Sequence, residues 1–523
     1  MFKNHPKGLI PAALANMGER FGYYIMNAIL VLFLCAKFGL SSTDAALIYS
    51  FFYAGIYILS LVGGLIADKI KNYKGTIMCG LVVMALGYIL LAIPITATLE
   101  NNVGLLVFTC AALLMIALGN GLFKGNLQAI VGQMYDNAPK ETQKRRDSGF
   151  QIFYVFINIG GLIAPFVAPL LRSWWLHKNF LEYNADLPAL CHKYLELGTN
   201  MHPQQLANLH QYADGAILNG STLGGSNLQT FCSTYLEVFN TGFHYAFIAS
   251  VAAMIISLVI FAVSRKFFPN PIKHIKEQVT MSEGEKKAMA SELKQRIYAL
   301  FAVLGVVVFF WFSFHQNGVS LSYFARDFVN TSSIPPEIWQ AVNPFFVVFL
   351  TPIIMWIFGS MRKKGKEPST PKKIGIGMGI AALGYTFLTI VSSINGLPSG
   401  DVYTTLTPDA QQAIKLTPFV LIGMYFFMTV AELFISPLGL SFVSKVAPPH
   451  MQGLMQGLWL AATAVGNILL FIGGILYAKV DLMYCWMVFL VVCALSMIVM
   501  LAMVKWLERV TGEKKEDKKL QEA

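Results

Sequence analysis

The sequence predicts an all-α integral membrane protein of twelve transmembrane helices in two six-helix bundles. Three observations carry this expectation. Apolar runs near the ~20 residues that a helix needs to cross the hydrocarbon recur from end to end. The chain is 55% hydrophobic and only 13% charged, against about 25% charged in soluble domains. Lys and Arg are also unevenly placed: of 39, thirty fall in the even-numbered loops and both tails, and seven on the other side. That is the positive-inside bias, with both termini cytoplasmic. The net charge of +11 is therefore a topology signal and not a nucleic-acid footprint.

Taken in order, the spans are read at about 21–38, 45–67, 76–95, 104–123, 149–171 and 243–264 in the first half. In the second they fall at about 298–318, 338–359, 374–394, 417–435, 454–477 and 484–506. The runs are continuous and not alternating, which excludes a β-barrel. No short apolar segment with a small-residue cleavage site precedes the first span, so no removable signal peptide is expected. These spans set the organisation. Residues 1–264 form one bundle, 265–297 a basic cytoplasmic linker, 298–506 a second bundle and 507–523 a cytoplasmic tail. Helix formers with alternating charge between Ser282 and Arg296 predict a surface helix within the linker. Six spans, a linker and six spans is an arrangement that places a site between the halves.

A polar insertion of about 173–241 interrupts the first half on the extracytoplasmic side. It holds Cys191 and Cys232, in an oxidising compartment on this topology, where a disulfide and two free thiols are both open. Cys35, Cys79, Cys110, Cys485 and Cys493 lie in or near apolar spans and read as packing residues. No His or Cys spacing suggests a metal, and no P-loop is present to support an ATP-driven pump.

Four ionisable residues stand within spans. Glu19 and Arg20 open the first, Lys124 interrupts the fourth and Glu432 the tenth. A charge at membrane depth costs at least ~2.5–3.5 kcal/mol, so it faces a bundle interior or a wet cavity, with a partner. Two cations and two anions over three spans predict a charged cavity at mid-bundle.

The sequence around these charges is specific. Glu19 to Tyr24 resembles the ExxERFxYY signature of the proton-dependent oligopeptide transporter (POT or PTR) family, within the major facilitator superfamily. Phe153 to Gly160 resembles its FYxxINxG signature, and Gly119 to Lys124 its GxGxxK element. Glu432 to Ser441 is similar to ELxxSPxGLS, Gln340 to Pro344 to QxxNP, and Gly64 to Lys69 (GLIADK) to the superfamily's loop between spans two and three. Six elements in order cover nearly the whole chain except the insertion and the termini.

The resemblance implies a major facilitator fold and a proton-coupled symporter that imports di- or tripeptides by alternating access. Its expected partners are small peptides and the lipid bilayer, with no nucleic acid. Protons would serve as the coupling ion, with no cofactor. The location would be a plasma membrane, by length a bacterial inner membrane; the sequence does not set the oligomeric state. A zwitterionic peptide needs a cation for its carboxylate and an anion for its amine. Arg20 offers a forked donor and Lys124 a compact cation, while Glu432 would receive the amine and Asn343 add an amide dipole. The resemblance places Tyr23 and Tyr24 on the cavity wall, with Ser436 one turn from Glu432. Tyr57 and Trp459 match cavity-lining positions of the family, and ordinary bundle packing is the alternative for both. For Arg20, Lys124 and Glu432 the alternative is a structural ion pair, and for Asn158 the preferred account is an interhelical hydrogen bond. Glu19 is read as a titrating group, or else as a fixed partner of Arg20 or Lys124.

Three departures bear on coupling. Asn16 stands where the family's signature begins with Glu, Gly125 follows Lys124 where Pro is usual, and His315 holds the place of an acid. Neutral His315 could accept a hydrogen bond from Arg20, act as the proton switch, or pack within a helix interface. Beside the peptide symporter stand a carrier of another small acid, amine or peptide-like solute, and a receptor or scaffold that has lost transport. A membrane enzyme lacks any nucleophile–base or metal constellation in the sequence.

Overall fold

The computed structural model describes residues 5–40, 42–95, 101–184, 187–221, 223, 225–269, 283–330, 341–406, 408–448 and 451–511. Gln340, residues 270–282 of the linker and residues 512–523 of the tail lie outside them. The first half contains α1 (Leu9–Phe38), α2 (Ser42–Ile70), α3 (Tyr73–Ala92), α4 (Asn102–Asp136) and α5 (Arg146–Lys178). A cap of two shorter helices follows, α6 (Leu187–Leu197) and α7 (Pro203–Ala216), and then α8 (Leu228–Ser264). The second half contains α9 (Glu283–Phe314), α10 (Val342–Lys363), α11 (Thr370–Ile394), α12 (Phe419–Val446), α13 (Gln452–Ile468), α14 (Leu470–Lys479) and α15 (Leu482–Thr511). Among the described residues the only strand-like features are two isolated bridges, Leu181 with Ile217 and Val329 with Leu416.

Eleven helices among the described residues are long and apolar enough to cross a membrane. Their outer faces expose Leu114, Val259, Val263, Phe349, Trp356 and Ile498, an apolar belt that lipid solvates and water would not. The remaining expected span, α1, has 30 residues and so runs ~45 Å, packed along α8 and α5.

Several boundaries differ from the sequence reading. Helix α1 begins at Leu9, so Glu19 and Arg20 sit inside it and do not open it. It ends where Gly39 turns left-handed (φ +67°), its N–H bonding back to the Cys35 carbonyl, the geometry a residue without Cβ adopts at least cost. The surface helix expected from Ser282 is no separate element; its chain enters the seventh span as one 32-residue helix, α9, because no Pro or Gly–Pro pair interrupts the helix formers. The last part of the insertion, from Leu228, is a projecting extension of α8, capped by the Asn227 side chain, which accepts from the Thr230 N–H. The eleventh span breaks at Leu469 into α13 and α14, where tight i→i+3 bonds join Leu469 to Gly466 and Ile472 to Leu469. Cys79 is exposed on α3 rather than packed, whereas Cys485 and Cys493 are buried as expected.

Close approach of the halves depends on small residues. A Cβ on Gly64 of α2 would collide with the Gly453 carbonyl of α13, so backbones there touch directly, as small residues allow in membranes. The start of α1 and the end of α15, the helix ends nearest the two termini, lie at this end of the bundle, hereafter the termini end. Leu9 starts beside the ends of α4 and α8, with Gly8 against Met134 and Phe267, and Glu508 near the end of α15 accepts from Ser369.

Candidate transport site

On α1, Glu19 is fully buried and Arg20 nearly so. Arg20 donates through Nε and Nη2 to the two carboxylate oxygens of Glu19, each at 2.5 Å. Asn120 on α4 donates to Glu19 Oε1 at 2.7 Å, fixing the carboxylate from a second helix. The Arg20 guanidinium lies 4.5 Å from the centroid of the Tyr23 ring. Glu19 is therefore the partner of Arg20, and His315 is not: the fork is already filled by the adjacent residue.

Lys124 is different. Its ammonium stands over the Tyr57 ring at 4.7 Å, and no carboxylate among the described residues pairs with it. A cation over a phenol gains about 0.5–2 kcal/mol, well short of what an ion pair in this setting provides. Tyr57 contacts the Tyr53 hydroxyl at 3.3 Å, Tyr49 stacks on Tyr53, and Tyr49 and Tyr23 both donate to Asn27 Oδ1, at 2.9 and 3.2 Å. Tyr24 packs edge-on against Tyr23. The first half thus presents a phenol-lined wall with one unpaired cation.

The second half presents the complementary feature. Glu432 on α12 is 5% exposed, and no cation among the described residues pairs with it. It accepts from Asn343 of α10 at 2.8 Å, and Asn343 also donates to Thr429 Oγ1 at 3.0 Å. Its other oxygen accepts from the Tyr154 hydroxyl of α5, a bond that crosses between the halves. Ser436 lies buried one turn further along α12. A buried carboxylate held by neutral donors alone is costly and ready to receive a cation.

Three residues are placed more narrowly than the sequence placed them. Trp459 is 2% exposed, with its ring seated where a Cβ on Gly439 would be, so packing is its role in this state. Asn158 donates to the Tyr154 carbonyl one turn back in its own helix at 3.0 Å, and no interhelical bond from it is present among the described residues. His315 shares a hydrogen bond with Asn467 of α13, stacks on Trp311 with ring centroids 5.0 Å apart and meets Phe314 edge-on. Its hydrogen-bond and ring partners thus belong to its own half, while Lys124 of the first half reaches it only through its charge. Sequence reading missed Tyr49, Tyr53, Asn120 and Tyr154. Tyr49, Tyr53 and Tyr57 recur every four residues on one helix face, and Tyr154 lies within a quoted signature; those were the available signals.

At the termini end the halves are locked. Asp147, at the start of α5, accepts from Ser441 Oγ at 2.6 Å and Lys445 Nζ at 2.9 Å on one oxygen. Its other oxygen accepts from Thr370 Oγ1 at 2.9 Å and Lys373 Nζ at 3.0 Å. Asp68, at the end of α2, accepts from the Gly453 and Leu454 N–H groups at the start of α13, at 3.2 and 2.8 Å, where the helix dipole favours an anion. Gln452 donates to Asp136 at 2.9 Å, and Arg146 to the Ser444 carbonyl at 3.2 Å.

A two-half helical membrane bundle, sealed at one end and carrying on facing halves opposite charges that have no ion partner among the described residues, is a transporter of the major facilitator type and not an enzyme. A model of the POT family matches residues 74–194 and 270–487, and the chain belongs to that family. It is 27% identical over 492 residues to the peptide transporter YePEPT of Yersinia enterocolitica, covering 89% of this chain and 87% of that one. It is 28% identical over 473 residues to the dipeptide and tripeptide permease B of Salmonella typhimurium, covering 89% and 85%. Among solved structures, the peptide transporter POT in complex with sulfate superposes with a TM-score of 0.58 at 22% identity, over 98% of this chain and 96% of that one. A POT family transporter in complex with 5-aminolevulinic acid gives 0.59 at 20% identity, over 97% and 98%. At such identities the two structures establish the shared fold.

Proposed function

We propose that this protein imports di- and tripeptides together with protons across a bacterial inner membrane, with both termini in the cytoplasm. The observation that carries the reading is the pair of unmatched charges, Lys124 on the first half and Glu432 on the second. A zwitterion between them supplies each with its missing partner and joins the halves through its own length. Membership of the POT family and relatives named as peptide permeases support the substrate class. The distribution of Lys and Arg supports the orientation, and on that orientation the Asp147 lock closes the cytoplasmic side.

The chemistry then runs through this chain's own groups. Lys124 takes the peptide carboxylate. Arg20 is held by Glu19 and becomes free to make a forked bond to the same carboxylate when Glu19 gains a proton, which makes Glu19 the coupling residue. The peptide amine approaches Glu432 and competes with the Tyr154 hydroxyl, so filling the site loosens one cross-half bond. Asn343 keeps the Glu432 carboxylate aimed while this happens. Tyr24 and Tyr57 complete the wall around the peptide backbone, and His315, tied to Asn467, braces the opposite side.

Counterflow of labelled dipeptide in proteoliposomes tests this. Exchange that free dipeptides inhibit and N-acetylated dipeptides do not is the expected result. Equal inhibition by both removes the amine role from Glu432. Exchange of another small acid, amine or peptide-like solute alone makes the protein a carrier of that solute, and no exchange of any makes it a receptor or scaffold.

A further inference from the structure

The cap built by α6, α7 and the projecting end of α8 is tied to the first half at several points. His192 Nε2 meets the Ala36 carbonyl at 2.6 Å, and Asn240 donates to the same carbonyl at 3.3 Å. The Tyr235 hydroxyl, on α8, accepts from the Asn184 N–H at 3.1 Å and donates to the Glu182 carbonyl at 3.2 Å. Inside this packing, Cys191 of α6 and Cys232 of α8 are both fully buried free thiols on helices that pack against each other, and Cys191 has Cys232 as its hydrogen-bonding neighbour. Five other cysteines are scattered through the spans. The two in the cap are 41 positions apart in sequence and nonetheless meet.

We propose that Cys191 and Cys232 form a disulfide that staples the cap to the first half, so that cap and half move as one body. The proposal rests on the orientation given under Proposed function, which puts the cap on the oxidising side. Formation is a thiol–disulfide exchange during folding, before the cap closes. One thiolate attacks the disulfide of an exported thiol–disulfide oxidoreductase, and the second displaces that carrier from the mixed disulfide. Two thiols lose two protons and two electrons, the carrier's disulfide becomes a dithiol, and one S–S bond replaces another. In the folded chain the contact with Cys232, and then burial, push the Cys191 thiol far above its ordinary range. Both cysteines are fully buried, out of reach of thiols in solution, so the bridge is structural rather than a switch.

The test uses the full-length protein purified from membranes, denatured in the presence of an alkylating reagent with and without prior reduction. Five thiols should react without reductant and seven after it. A tryptic species joining the Cys191 and Cys232 peptides, two hydrogens lighter than their sum, should disappear on reduction. The double variant Cys191→Ser/Cys232→Ser should melt several degrees lower, and reductant should lower the wild type to match. Orientation is read separately from Lys193, which is exposed on α6, with a membrane-impermeant amine reagent on spheroplasts. Lys193 labelled from outside with seven thiols reacting before reduction overturns the disulfide and leaves the orientation standing. Lys193 labelled only after permeabilisation overturns the orientation, and the disulfide with it.

Discussion

Replacing Asp147 with Asn should open the termini end of the bundle. The carboxylate of Asp147 receives four donors from two helices of the other half, α11 and α12, two of them the ammonium groups of Lys373 and Lys445. Asparagine keeps the size and one acceptor oxygen but removes the charge, and its amide hydrogens face lysines. Removing one member of a buried ion pair costs about 3–5 kcal/mol. Two features reduce that figure here. Lys373 keeps Glu367 at 2.7 Å, and the Lys445 side chain is 20% exposed, so water reaches it. About 2–3 kcal/mol remains, equivalent to roughly a 30- to 150-fold change in equilibrium at 1.36 kcal/mol per decade. These bonds join the two halves and are lost when this end opens, so the whole change falls on the closed state. Spin labels introduced as non-canonical amino acids at Lys71 and Lys366, exposed on opposite halves at this end, report the result. Asp147→Asn should move a large part of the distance distribution to longer values, and Lys445→Ala should do so less. Unchanged distributions in both variants would refute the idea that this carboxylate holds the end shut.

Lys124→Ala and Glu432→Ala should each abolish dipeptide counterflow while the protein still inserts and purifies as a folded monodisperse species; retained exchange in either denies that charge its role. Glu19→Gln should stop proton-driven accumulation but leave counterflow, because the amide imitates a permanently protonated acid; accumulation at the wild-type level would move coupling elsewhere. With Asn467 as its described hydrogen-bond partner, His315→Gln should keep the pH profile of uptake, and loss of pH dependence between about pH 5.5 and 7.5 would instead identify His315 as the switch. In the cap, burial lowers the pKa of His192, partly offset by its bond to the Ala36 carbonyl. A folded value below the unfolded ~6.5 means that stability is intact above pH 6.5 and declines as pH falls below it. The protection factors of α6 amides, with the slower intrinsic exchange at lower pH divided out, should accordingly fall between pH 7 and 5, and His192→Gln should flatten that dependence.

Much of this was legible in the chain because a bilayer restricts what it can do. Every backbone polar group must be satisfied within the hydrocarbon, so long apolar runs have to become helices. Charges within them must turn inward, which is why Arg20, Lys124 and Glu432 could be picked out one by one. Other features were beyond reach. The sequence does not say that the fork of Arg20 is filled by its neighbour Glu19, since that depends on Asn120 arriving from α4. Nor does it say that the Trp459 ring fills the space beside Gly439, or that Asn158 bonds within its own helix, because packing distances decide both.

The sequence by itself determined the helical class, the two halves and the identities of the charges, because hydrophobic length and desolvation cost are properties of single segments. Tertiary structure alone decided which charges are matched and which are left open. Glu19 satisfies Arg20 while Lys124 and Glu432 find no ion partner among the described residues, and Asp147 gathers donors from residues more than two hundred positions away. The physical reason is range: burial acts on each segment, whereas an ion pair or hydrogen bond exists only where folding brings two atoms within about 3 Å.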